Sequence, residues 1–133
     1  MDLNEKISKE KAILLNPVVL AFVGDAVYSL FIRTKLAVSV DKKSGALSEM
    51  AARSVCAEAQ ARLADELTDV FSEEERAVFL RARNAKKPTH AKHSSVSQYN
   101  KSTGFEAVVG YLYLSGQIER LDYILNYGEN DER

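Results

Sequence analysis

Cysteine occurs once in the 133 residues, at Cys56; tryptophan is absent and proline appears only twice. One thiol cannot close an intramolecular disulfide or build a cysteine cage around zinc, so a reducing compartment, the cytoplasm, is expected. Excess charge of either sign is also missing. Lys and Arg total 18 against 19 Asp and Glu, a formal net charge of −1. That balance excludes a uniformly basic nucleic-acid binder but leaves room for a local basic patch. Long apolar runs are lacking too: the most apolar stretch, residues 17–36, is broken by Asp25, Arg33 and Lys35. A bilayer span needs about 20 nearly uninterrupted apolar residues, so no membrane partner is expected. The opening Met-Asp-Leu-Asn-Glu-Lys is unlike the basic-then-apolar order of a secretory leader. No repeat, low-complexity tract, Gly/Ser linker or phosphate-cradling glycine loop occurs. One domain over residues 1–133, without a small-molecule cofactor, is the expectation.

What is present reads as helix. Asn16-Pro17 is a start signal, since Asn can cap orphan amides and Pro at the first helical position gives up only an unpaired one. Val18, Val19, Leu20, Phe22, Val23, Val27, Leu30 and Phe31 follow on several faces. A helix apolar nearly all round belongs in the middle of a bundle. After a break at Lys42-Lys43-Ser44-Gly45, an Ala-rich helix is expected over residues 47–67, with Leu47, Met50, Ala51, Val55, Ala59 and Leu63 near helical spacing and Cys56 packed within it. Ser72 and Glu75 make a capping box for a helix reaching about Asn84. A turn at Lys87-Pro88 separates it from a helix that begins within residues 94–102 and stops at Ser115-Gly116. A last helix covers residues 118–126, and Tyr28, Tyr111, Tyr113, Tyr123 and Tyr127 are expected at the core edge. No segment alternates with period two, so the fold class is all-α, a helical bundle.

Three features go beyond a helical domain. Asp25, in Val23-Gly24-Asp25-Ala26-Val27, places a carboxylate in an apolar helix, which is costly unless it is paired, hydrogen-bonded or metal-bound. Gly24 beside it gives up roughly 1 kcal/mol of helix stability relative to Ala, which suggests a close backbone approach. Glu106, in Thr103-Gly104-Phe105-Glu106-Ala107-Val108-Val109-Gly110, interrupts a second apolar pattern. Facing helices can converge such carboxylates into a site for a hard cation such as Mg²⁺. A structural hydrogen bond for Asp25 and an N-terminal dipole role for Glu106 remain the plain alternatives. Thirdly, residues 76–105 contain no acidic residue but hold seven of the eighteen basic ones: Arg76, Arg81, Arg83, Lys86, Lys87, Lys92 and Lys101, with His90 and His93 among them. Such a stretch is the footprint expected for phosphate contacts, or simply a solvated surface. The two histidines alone make a poor metal site.

These residues also carry a resemblance. Residues 20–28, Leu-Ala-Phe-Val-Gly-Asp-Ala-Val-Tyr, resemble the signature helix of the ribonuclease III family, whose pattern ends Leu-Gly-Asp-Ala-Val, and residues 103–114 resemble its second carboxylate helix, Asp-x-Phe-Glu-Ala-Leu-Ile-Gly. The resemblance covers nearly the whole chain, as a catalytic domain without a double-stranded-RNA-binding domain. It implies a ribonuclease III-like endonuclease bundle and a Mg²⁺-dependent endoribonuclease that acts as a homodimer on double-stranded RNA, such as a 23S ribosomal RNA precursor. Asp25 and Glu106 fall on the family's catalytic and metal-site residues. Arg81, Arg83, Lys86, Lys87, Lys92, His93 and Lys101 would then grip RNA. Two family carboxylates are missing: Ala21 stands four before Asp25 and Thr103 three before Glu106. A leaner metal site follows, and with it the alternative of a non-catalytic subunit of the same fold that binds structured RNA. A helical protein-interaction adaptor is a more distant alternative.

Overall fold

The structure, a computed structural model, describes residues 4–39, 41–87 and 95–128. Seven helices and no strand occur among them: α1 (Lys9–Ile13), α2 (Pro17–Ser39), α3 (Ser44–Val55), α4 (Ala57–Leu67), α5 (Glu73–Asn84), α6 (Val96–Leu114) and α7 (Ile118–Leu125). The all-α expectation holds. Most ends have the chemistry read from the sequence. The Val18 amide donates to Asn16 Oδ1 at 2.8 Å, so Asn16 caps α2. Ser72 and Glu75 form the full capping box of α5, and Ser95 with Gln98 forms another for α6. α6 stops where Gly116 turns to φ 72°, in the left-handed region that glycine enters without strain.

The middle of the bundle is α6, not α2. Phe105, Ala107, Val108, Val109, Tyr111 and Leu112 are all buried, and α6 packs against α2, α5, α4, α7 and α1. α2 buries only the side carrying Leu20, Ala21, Gly24 and Tyr28. Its opposite side leaves Phe22 79%, Leu30 68% and Val19 48% exposed. By length and composition alone α2 would pass for a membrane span, but it carries Asp25, Arg33 and Lys35 and seats one flank on the core. Tyr28 and Tyr111 are core residues rather than core-edge ones; Tyr28 meets Phe105 edge to face with ring centroids 5.0 Å apart.

The Ala-rich run is two helices. Cys56, exposed and extended at φ −69° and ψ 157°, ends α3 and begins α4. The reason is tertiary, because α3 buries Ala51 towards α2 whereas α4 turns Gln60, Ala61, Ala64 and Leu67 onto α6. No straight helix can serve both neighbours. The buried stripe of α4 is also shifted by one residue from the expected Ala59 and Leu63. The five-residue α1, capped by Ser8, was not legible in the sequence. It is tied to α5 by Arg81, whose guanidinium donates to the carbonyls of Ile13 and Leu15 at 2.6 and 3.2 Å.

Candidate active site

Two glycines decide how closely α2 and α6 cross. A Cβ on Gly24 would overlap the carbonyl oxygen of Glu106 and lie 2.6 Å from its carbon and 2.9 Å from the amide nitrogen of Gly110. A Cβ on Gly110 would overlap the carbonyl oxygen of Leu20. Backbone therefore meets backbone at this crossing, and Asp25 and Glu106 are brought together from positions 81 apart in the chain. Asp25, next to Gly24, comes to the same pocket as Glu106, close enough for its carboxyl to act on that of Glu106. Gly104 does the same for the other flank of α6: a Cβ there would lie 2.6 Å from the Phe79 ring of α5.

Both carboxyls line one open pocket of about 270 Å³, together with Val18, Ala21, Phe22, Lys87, Tyr99 and Thr103. Asp25 is exposed and Glu106 half-buried in its wall. Burial, and then the hydrogen bond and negative charge of Asp25, push the Glu106 carboxyl up to about 9. Gln60 acts in the opposite sense: its Nε2 donates to Glu106 Oε2 at 3.5 Å and favours the ionised form. Two acidic side chains brought this close in one pocket favour the arrival of positive charge between them. Oxygen-only donors open to water on one side fit a hard divalent cation that keeps several waters. Among the described residues no three His, Cys, Asp or Glu side chains converge, so within them the centre has two carboxylates. Ala21 and Thr103 do lie on the pocket wall, but neither supplies a carboxylate, and the Thr103 hydroxyl donates to the Tyr99 carbonyl at 3.0 Å.

The basic residues divide. Lys87 reaches the carboxylate pocket, its ammonium held by the carbonyls of Arg83 and Ala85 at 3.1 and 2.7 Å, and burial lowers its pKa. Arg83 and Lys101 meet at a neighbouring cleft with Asn84, Val96, Ser97 and Asn100. There Arg83 donates to Asn84 Oδ1 and Lys101 pairs with Asp65 at 2.8 Å. Lys86 is exposed. Arg81 is the member whose head group is taken up by the α1–α2 connection. Lys92 and His93 lie outside the described residues. Sequence reasoning missed Gln60. Its signal was available, since an amide at 60 shares a helical stripe with Ala64 and Leu67, the same kind of interruption that drew attention to Asp25 and Glu106.

Known proteins are similar to this chain in sequence and in fold. A family model described as the ribonuclease III domain matches residues 18–117. Mini-ribonuclease 3 of Thermoanaerobacter sp. is 46% identical over 91% of this chain and 85% of its own length. The Mini-ribonuclease 3 of Clostridium tetani is 42% identical over 92% and 82%, and that of Enterococcus faecalis 40% identical over 90% and 96%. A crystal structure of a Fusobacterium nucleatum protein superposes with a TM-score of 0.80 at 28% identity, covering 90% of this chain and 96% of that one. With the family model spanning most of the chain and the carboxylates of both signature helices meeting in one pocket, this chain belongs to the ribonuclease III family and is an endoribonuclease of that type.

Proposed function

We propose that this chain cleaves double-stranded RNA in a divalent-metal-dependent reaction, that Mg²⁺ is the ion and Asp25 and Glu106 its protein ligands, and that a ribosomal RNA precursor in the cytoplasm is the substrate. The observation that carries the reading is that Asp25 and Glu106, 81 positions apart in the chain, line one pocket open to solvent. Bound there, Mg²⁺ would supply charge neutralisation at the phosphodiester and a more acidic water. The chain's own residues do the rest. Asp25 and Glu106 would hold the cation, Glu106 releasing its proton to water as the ion binds. Lys87, anchored by two carbonyls at the pocket rim, presents a fixed positive charge to the phosphate entering beside them. Val18 and Phe22 form an apolar wall.

A duplex has approximate two-fold symmetry, and an enzyme cutting both strands is suited to a two-fold assembly. The unburied flank of α2 supports a homodimer. Val19, Phe22 and Leu30 form an apolar stripe at helical spacing with no partner within the described chain, and Phe22 also lines the pocket. A second copy covering this stripe would set its own site beside the first. A-form RNA is read through phosphates and 2′-hydroxyls, which the Arg83–Lys101 cleft, Lys86 and Lys87 would meet.

The test is incubation of duplex RNA with the protein, with and without Mg²⁺, alongside Asp25→Asn. Strand cleavage that needs both the ion and Asp25 is expected. Retardation of the RNA without cleavage would replace the reading with a binding role, and full activity of Asp25→Asn would remove the carboxylate pair from it.

A further inference from the structure

We propose that Gln60 is a positioning residue of this site, its side-chain amide holding the Glu106 carboxylate in the orientation that serves a divalent cation jointly with Asp25. The inference rests on the reading above that the two carboxylates hold a cation, and adds a residue that acts through Glu106. Gln60 is 2% exposed, on a face of α4 whose other buried members are Ala61, Ala64 and Leu67. Burying an amide among such neighbours costs about 1–3 kcal/mol unless it is hydrogen-bonded. The bond it makes crosses from α4 to α6, from Nε2 to Glu106 Oε2 at 3.5 Å, the outer limit of a hydrogen bond. A packing role alone would be met by Leu or Met.

The chemistry of an amide suits the task. It donates without carrying charge, so it directs the carboxylate while leaving its negative charge for a cation. A Lys or Arg at this place would neutralise Glu106, and a Glu would repel it. Holding one oxygen removes rotation about the last bond of the side chain. Carboxylate ligands are generally oriented in this way by outer partners, whose loss costs roughly 10–100-fold in metal affinity or activity. The requirement is sharper here because Ala21 and Thr103, on the same pocket wall, contribute no further carboxylate. A site with two ligands has less redundancy to keep a loose one in place.

The experiment is a Mn²⁺ titration of the full chain without RNA, with free ion followed by electron paramagnetic resonance, for wild type, Asp25→Asn, Gln60→Met and Gln60→Asn. Wild type that takes up no Mn²⁺ sensitive to Asp25→Asn would overturn the metal reading itself, independently of Gln60. Given that uptake, Gln60→Met, which keeps chain length and loses the donor, is expected to raise the half-saturating Mn²⁺ about tenfold or more. Cleavage of duplex RNA should then recover to within a few-fold of wild type at saturating ion. Gln60→Asn keeps a buried amide but withdraws it by one methylene, and should follow Gln60→Met; it carries the test if the Met variant does not fold. Wild-type Mn²⁺ affinity in a folded variant, or a cleavage defect that saturating ion leaves untouched, would overturn the proposal.

Discussion

Gly24 of α2 lies against the backbone of Glu106, so closely that a single methyl group on Gly24 would overlap the Glu106 carbonyl oxygen. This approach sets the reach between Asp25 and Glu106. Gly24→Ala would gain helix propensity, about 1 kcal/mol. That gain is outweighed by overpacking against rigid backbone, which costs about 3 kcal/mol or more. We expect a net loss in melting temperature together with a loss of RNA cleavage as the two helices part. Gly45→Ala is the control: a Cβ there meets nothing within 4 Å, so thermal unfolding should show it neutral or slightly stabilised.

The pH dependence of stability follows from Glu106. Its carboxyl is raised to about 9 in the folded chain from an ordinary 4.5. Between those values the folded state binds the extra proton, so stability falls as pH rises; the contribution is complete below about pH 4.5 and lost through pH 9. In chelator-treated buffer, Glu106→Gln should be the more stable protein at pH 8, by on the order of a few kcal/mol, and should match wild type near pH 4.5. Parallel denaturation curves across this range would count against a raised Glu106 carboxyl.

Glu75 and Arg120 form the best-enclosed ion pair among the described residues. Glu75 is 2% exposed, accepts from Arg120 at 2.8 and 2.9 Å and closes the capping box through the Ser72 amide, while Arg120 also donates to the Val70 carbonyl. Removing Arg120 alone, as in Arg120→Met, leaves a buried carboxylate unpaired and should cost about 3–5 kcal/mol. Urea unfolding of Arg120→Met, Glu75→Gln and the double variant should show strong non-additivity.

Lys86→Ala, Lys87→Ala and Lys92→Ala together should weaken binding of duplex RNA and flatten its dependence on salt, since each phosphate contact contributes to the slope of log affinity against log salt. Lys101→Ala should change it less, because Lys101 already pairs with Asp65. Fluorescence anisotropy over a potassium chloride series measures both; an unchanged slope in the triple variant would remove this stretch from the RNA contact.

Phe22→Glu with Leu30→Glu places two charges on the uncovered stripe of α2 and should convert a dimer to a monomer that keeps its helical content. Sedimentation velocity and circular dichroism distinguish this from unfolding, and a wild-type chain that sediments as a monomer would refute the homodimer.

How much was legible depended on whether a feature is local. Asn16-Pro17 and the Ser72–Glu75 box satisfy helix ends from within a few residues, so the sequence marked the starts of α2 and α5 correctly. Asp25 and Glu106 drew attention because each charge interrupts an apolar helix, and both entered the pocket. The break at Cys56 was not legible, since neither Gly nor Pro marks it and its cause is that α3 and α4 pack on different helices. The apolar circumference of α2 was misread for a related reason. Composition shows that a face is apolar, and does not show whether the chain itself covers it.

Residue types and their spacing alone determined an all-helical chain, its main capping signals, and two misplaced carboxylates 81 residues apart. Tertiary structure alone decided that α6 is the central helix, that the carboxylates share one pocket, and that Gln60 bonds Glu106 while Arg81 turns to α1. The physical reason is range. Capping and helical periodicity are settled within a turn or two of backbone, whereas two glycines meeting across α2 and α6 require the whole bundle to be assembled before either carboxylate has a partner.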